Sequence, residues 1–178
     1  MSRIFLIIIP LATLMVFCTT EEGRQASAYE EVKTKEHHLQ MQIADGKSPY
    51  ELTDDAQKLI SSYISFYEEY PEHHESPEFL FQAGMINAEL LGDSNEGIRL
   101  LKKVQRDYKE HDIAQRSLFL AGFMYDYELE KSDKAREVYT RFLELYPHSE
   151  LADAVRQARD FAGSDGSAEI PIEIEPNP

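Results

Sequence analysis

Apolar residues recur at spacings of 3, 4 and 7 through most of this chain, and they alternate at a spacing of two only near its end. Leu59, Ile60, Tyr63, Ile64, Phe66, Tyr67 and Tyr70 form the clearest stripe. It predicts an amphipathic helix opened by Thr53-Asp54-Asp55 and stopped by Pro71. Ser76-Pro77-Glu78 is a start signal, with a capping side chain, a proline in the first turn and an acid near the positive helix end. The helix it opens runs to about Leu91 and ends on Gly92. Asp93, with Glu96 three residues on, opens the next, which carries Ile98, Leu101, Val104 and Tyr108. Asp112 starts a helix bearing Leu118, Ala121, Gly122 and Tyr125, and Ser132 starts one bearing Ala135, Val138, Tyr139, Phe142 and Tyr146. A final helix is expected from Ser149 to about Ala162. Upstream, Val32, Leu39 and Ile43 are sparse, so residues 29–42 predict a short, weakly packed helix, broken by Asp45-Gly46-Lys47-Ser48-Pro49.

These helices repeat. Tyr70, Tyr108 and Tyr146 are separated by 38 residues each, and Phe81-Gln82-Ala83-Gly84 aligns with Phe119-Leu120-Ala121-Gly122 at the same offset. A constant period in this range implies stacked supersecondary units, none able to bury its apolar face alone.

The ends have a different character. Arg3 precedes an apolar run from Ile4 to Phe17, interrupted by Pro10 and Thr13. Its length suits a signal-peptide core and falls short of a spanning helix. Cys18, the sole cysteine, stands where the run stops, and a lone cysteine has no internal disulfide partner. Residues 19–28 are small and polar and predict a flexible tether. The alternating stretch Ile170-Pro171-Ile172-Glu173-Ile174-Glu175 carries a proline and acids, so residues 164–178 predict a disordered acidic tail. The expected organisation is a signal peptide over 1–17, the Cys18 tether and short helix over 18–52, a helical domain over 53–163, and the tail.

The unit built on Gly122 resembles a tetratricopeptide repeat. Leu118, Gly122 and Tyr125 match its first helix, and Ala135, Tyr139, Phe142 and Pro147 match the spacing of its second. The preceding unit keeps Gly84, Gly97, Leu101 and Val104 but has Asn87 for an aromatic and Lys109 for the proline. A half unit, Leu59, Tyr63, Phe66 and Pro71, leads in. The resemblance implies an all-α, right-handed solenoid of about two and a half helix-turn-helix repeats with a C-terminal capping helix. The period exceeds the roughly 34 residues of the standard unit. Leu14-Met15-Val16-Phe17-Cys18 resembles a bacterial lipoprotein signal of the looser kind seen in the Bacteroidota group, with Phe17 in place of a small residue. That implies acylation of Cys18 and a lipid anchor in a cell-envelope membrane, on the outer membrane by preference. An uncleaved anchor or an ordinary cleaved signal are the alternatives.

In tetratricopeptide proteins the first helices line a groove for peptides or partner helices. The equivalent positions here are Phe81, Met85, Phe119, Phe123 and Asp126. They either anchor a protein partner or pack between repeats. Charge bears on the partner: 33 acidic residues against 18 basic ones give a net charge of −15, which repels phosphate backbones and argues against nucleic acid. His73 and His111 occupy equivalent turns and do not converge as metal ligands would. No nucleophile elbow, phosphate loop or metalloprotease motif occurs, so neither catalysis, cofactor nor small-molecule substrate is expected. The expected function is that of a lipid-tethered, non-enzymatic adaptor. The alternative is a structural subunit of an outer-membrane assembly or secretion complex, of the kind that tetratricopeptide lipoproteins of outer-membrane assembly and Tol–Pal function suggest.

Overall fold

The computed structural model describes residues 20–164. Over these the chain forms α1 (Glu21–Ala44), α2 (Pro49–Glu69), α3 (Ser76–Glu89), α4 (Ser94–Asp107), α5 (Asp112–Phe123), α6 (Ser132–Leu145) and α7 (Ala152–Phe161), with a π turn, Met124–Glu128, continuing α5. No strand occurs among the described residues. Each helix packs on the next, and α3 also reaches α5, whereas α1 and α3 make no comparable contact. The result is an all-α helix-turn-helix array, α1/α2, α3/α4 and α5/α6, capped by α7. The expected leader, Cys18 and acidic tail fall outside the described residues, except Ser164.

The N-terminal part differs from expectation. Among the described residues the expected tether (19–28) and short helix (29–42) give way to one element: from Glu21 a single helix of 24 residues runs to Ala44. Thr20 caps it, its Oγ1 accepting from the Gly23 amide at 3.1 Å, and Glu21 and Glu22 sit in the first turn, where acids favour the helix dipole. Beside the buried Val32 and Leu39, polar bonds attach it to α2, and these an apolar period does not reveal. Tyr63 Oη donates to Glu36 Oε1 at 2.7 Å, and the buried Gln42 donates through Nε2 to Asp55 Oδ2 at 2.6 Å. With α1 in place the leading half unit becomes a full pair. The start of α2 also moves, to Pro49, because Ser48 and Glu51 close a cap there: the Ser48 amide donates to Glu51 Oε2 at 2.9 Å. Thr53-Asp54-Asp55 therefore lies inside the helix.

The 38-residue period is carried by hydrogen bonds. Tyr70, Tyr108 and Tyr146 end α2, α4 and α6 in one shared conformation, φ near −129°, −128° and −129°. In the turns that follow, the amides of His73, His111 and Ser149 donate to those tyrosine carbonyls at 3.0, 2.9 and 3.1 Å. Two of the tyrosine hydroxyls then bind backwards, while Tyr70 Oη donates to Glu69 Oε1 at 2.8 Å. Tyr108 Oη donates to the Pro71 carbonyl at 2.8 Å and Tyr146 Oη to the Lys109 carbonyl at 3.3 Å, each fastening one pair to the turn of the pair before. This explains why the period is marked by tyrosine and not by any large apolar residue. Tyr108→Phe is expected to lower stability in urea titration by about 1 kcal/mol, the net value of such a bond. Tyr146→Phe, losing a longer bond, is expected to cost less.

The opposite turns repeat as well. The Asp93 amide donates to the Asn87 carbonyl at 2.8 Å, and the Lys131 amide to the Tyr125 carbonyl at 2.7 Å, each reaching back six residues, one more than the bond of a Schellman ending. Gly92 takes the left-handed position in the first of these, φ +70°, and Glu130 takes it in the second, φ +52°.

Candidate functional site

The structure separates the five groove positions into two kinds. Phe81 is 3% and Phe119 6% exposed. The Arg116 guanidinium lies over the Phe81 ring, 5.1 Å from its centroid, and Phe119 stands 6.2 Å from the Tyr139 ring. Both rings are thus covered by neighbouring elements, the packing alternative that the sequence left open for them. Met85, Phe123 and Asp126 are partly exposed. Met85 and Phe123 hold equivalent positions on the adjacent helices α3 and α5. Asp126, in the π turn, accepts from the Gly163 amide at 3.1 Å and so also ties α5 to the end of α7.

A further aromatic stands beside them. Tyr127 is 50% exposed and stacks on Phe123 with centroids 4.5 Å apart. The signal for it was the spacing, since Tyr127 follows Phe123 by four residues, where side chains on one helix face meet.

A cleft of about 510 Å³ opens where α1 diverges from α3. Its floor is Leu59, Tyr63 and Phe79. Leu39 and Ile43 line one wall and Ile86 and Leu90 the other. Glu36, Glu75, Glu78 and Glu89 surround the opening with Lys33. Lys33 pairs with Glu36, Gln82 Nε2 donates to Glu78 at 2.7 Å, and His74 stands 3.6 Å from Glu75. Glu89 has no ion pair among the described residues, and burial together with the nearby Glu128 carboxylate holds its carboxyl above the ordinary range.

Among the described residues no group of three or more His, Cys, Asp or Glu side chains is arranged to hold a metal ion. The paired-turn histidines have a local task instead. His73 Nδ1 accepts from the Glu75 amide at 3.2 Å and His111 Nδ1 from the Ile113 amide at 3.3 Å. Ser149 Oγ does the same for Leu151, at 3.2 Å. His111 thereby caps α5, whereas His73 and Ser149 each bind the amide of the residue just before α3 and α7, fastening the equivalent turns. No helix among the described residues is long and apolar enough to cross a membrane.

No curated protein and no solved structure matches the chain. Residues 116–149 match the tetratricopeptide repeat family, a span that runs from within α5 through the π turn and α6 to the turn after Tyr146. The third helical pair, which carries Phe123, Asp126 and Tyr127, is a tetratricopeptide repeat.

Proposed function

We propose that this protein is a non-enzymatic interaction scaffold, held at the cell envelope by a lipid on Cys18, whose helical array captures a protein partner. The observation that carries the scaffold reading is the Phe123–Tyr127 stack, a half-exposed aromatic pair on a tetratricopeptide repeat with Met85 at the equivalent place on the neighbouring helix. Aromatic rings with open edges are the side chains that most often dominate binding energy. Phe81 and Phe119 are buried and stand outside this surface.

The test is crosslinked capture from detergent extracts by the full chain, compared with Phe123→Ala/Tyr127→Ala. Recovery of the partner is expected to fall about tenfold or more, the loss of a typical hot spot, with helical circular dichroism unchanged. Equal recovery would remove these rings from the interface. Co-purification at a fixed stoichiometry would instead mark a permanent subunit of an envelope complex.

The tether rests on the sequence, where Cys18 ends the apolar run Ile4–Phe17. Metabolic labelling with a palmitate analogue is expected to mark the wild-type chain and to leave Cys18→Ala unlabelled. Several acyl chains at one residue hold a protein firmly, since each buried CH₂ contributes roughly 0.8 kcal/mol. Labelling that persists in the variant would place any acyl chain elsewhere.

A further inference from the structure

The cleft between α1 and α3 combines an apolar interior with a rim whose charge is poorly answered from within the protein. On α4 and α6 most acids are matched along the helix, as in Arg99–Glu96, Lys103–Asp107, Arg136–Asp133 and Arg141–Glu144. α3 differs: its sequence, Ser76–Glu89, contains no lysine or arginine. Glu78, Gln82, Ile86 and Glu89 follow one another along the face of α3 that borders the cleft. At 1.5 Å per residue the two carboxylates stand roughly 16 Å apart along the helix. Across from them Ile43 of α1 is 52% exposed.

We propose that this cleft docks a basic amphipathic helix of a partner protein, its apolar side chains entering between Ile43 and Ile86 and its lysines or arginines pairing with Glu78 and Glu89. The proposal rests on the scaffold reading and supplies the chemistry of the partner. Charge selects this occupant over the C-terminal segment of the chain and over a second copy. The chain beyond residue 164 contains Asp165, Glu169, Glu173 and Glu175 and no lysine or arginine, so it is repelled by the rim. A second copy carries the same charge of −15. An external cation would satisfy Glu89, which has no ion pair among the described residues and lies near the Glu128 carboxylate. Helix-in-groove docking with rim charges that steer and orient is an established way to combine apolar anchoring with specificity.

The experiment is fluorescence anisotropy with the full chain in non-ionic detergent. The probe is a labelled helix-forming peptide with leucines on one face and lysines on the other. Two further probes replace all lysines by glutamate or all leucines by serine. The lysine–leucine probe is expected to bind, and to bind about tenfold more weakly to Glu78→Gln/Glu89→Gln and to Ile43→Ser. Affinity for Glu137→Gln/Glu144→Gln, on the distant helix α6, is expected to equal that of the wild type. Binding should weaken as salt rises, and less steeply for the Glu78/Glu89 variant. The proposal is overturned if the glutamate or serine probe binds as tightly, if both glutamine variants lose affinity equally, or if no probe binds. Any of these results with intact Phe123/Tyr127-dependent capture would remove the cleft and leave the scaffold standing. Probe binding without that capture would do the reverse.

Discussion

Phe79→Ala is expected to lower the unfolding free energy by about 3–5 kcal/mol, measured by urea titration of helical signal. Phe79 is 1% exposed and lies where α1, α2 and α3 meet. Its ring stands edge-on to Phe66 at 5.1 Å, 5.2 Å from Tyr63 and 6.0 Å from Tyr29. Truncation removes the transfer energy of a whole ring and leaves a cavity that rigid neighbours cannot fill. Aromatic pairs add about 0.5–1.5 kcal/mol each beyond the area they bury. The loss should not be uniform. α1 brings only Val32, Leu39 and Gln42, with Gly23, to full burial, so Tyr29 on Phe79 is a large part of its hold. Amides of α1 are therefore expected to lose hydrogen-exchange protection before those of α6. A cost below 1 kcal/mol, or uniform loss of protection, would show that α1 is held by its polar bonds alone.

Gly97→Ala is expected to cost about 2 kcal/mol, although alanine is the better helix former by roughly 1 kcal/mol. A Cβ at this position would stand 2.8 Å from the Gly84 carbonyl oxygen and 2.9 Å from Ala88 Cβ. Neither obstacle has a rotamer to change, so α4 must move away from α3, and overpacking of this kind costs about 1–3 kcal/mol. The facing glycine is an internal control. A Cβ at Gly84 would meet Gly97 O and the Leu101 side chain at 3.2 Å, a gap that a leucine can relieve, so Gly84→Ala is expected to cost less than its partner. The two urea midpoints, compared side by side, check the order. Equal midpoints would mean that the α3–α4 contact yields more freely than its spacing implies.

The features that the chain repeats were legible before any coordinates. Tyr70, Tyr108 and Tyr146 mark helix ends that share one backbone conformation, and Asp93 caps α4 as its position before Glu96 suggests, accepting from the Glu96 amide at 3.0 Å. Caps and stops are local, so adjacent residues disclose them. Gly122 was legible through the resemblance, and the structure gives its reason: a Cβ there would stand 2.5 Å from the Tyr139 ring. What depends on the angle between units was hidden. Helical spacing puts Phe81 and Phe119 on a definite face but cannot say how closely the neighbour covers it, and here cover is nearly complete. A helix over 29–42 was legible but its firm attachment was not, because Glu36 and Gln42 secure it through hydrogen bonds, which leave no apolar period. The cleft escaped too, since it comes from the divergence of two helices and not from any motif along either.

The backward reach of Tyr108 and Tyr146 to the turns before them has a consequence for how this chain can change in length. Every joint is closed by the same set of bonds, so a cut at one tyrosine turn and a splice at the next meets matching ends. Gain or loss of a whole 38-residue module between His73 and His111 would leave each remaining joint with its usual partner. The array is thus open to duplication by recombination, with reach as the property that selection could adjust.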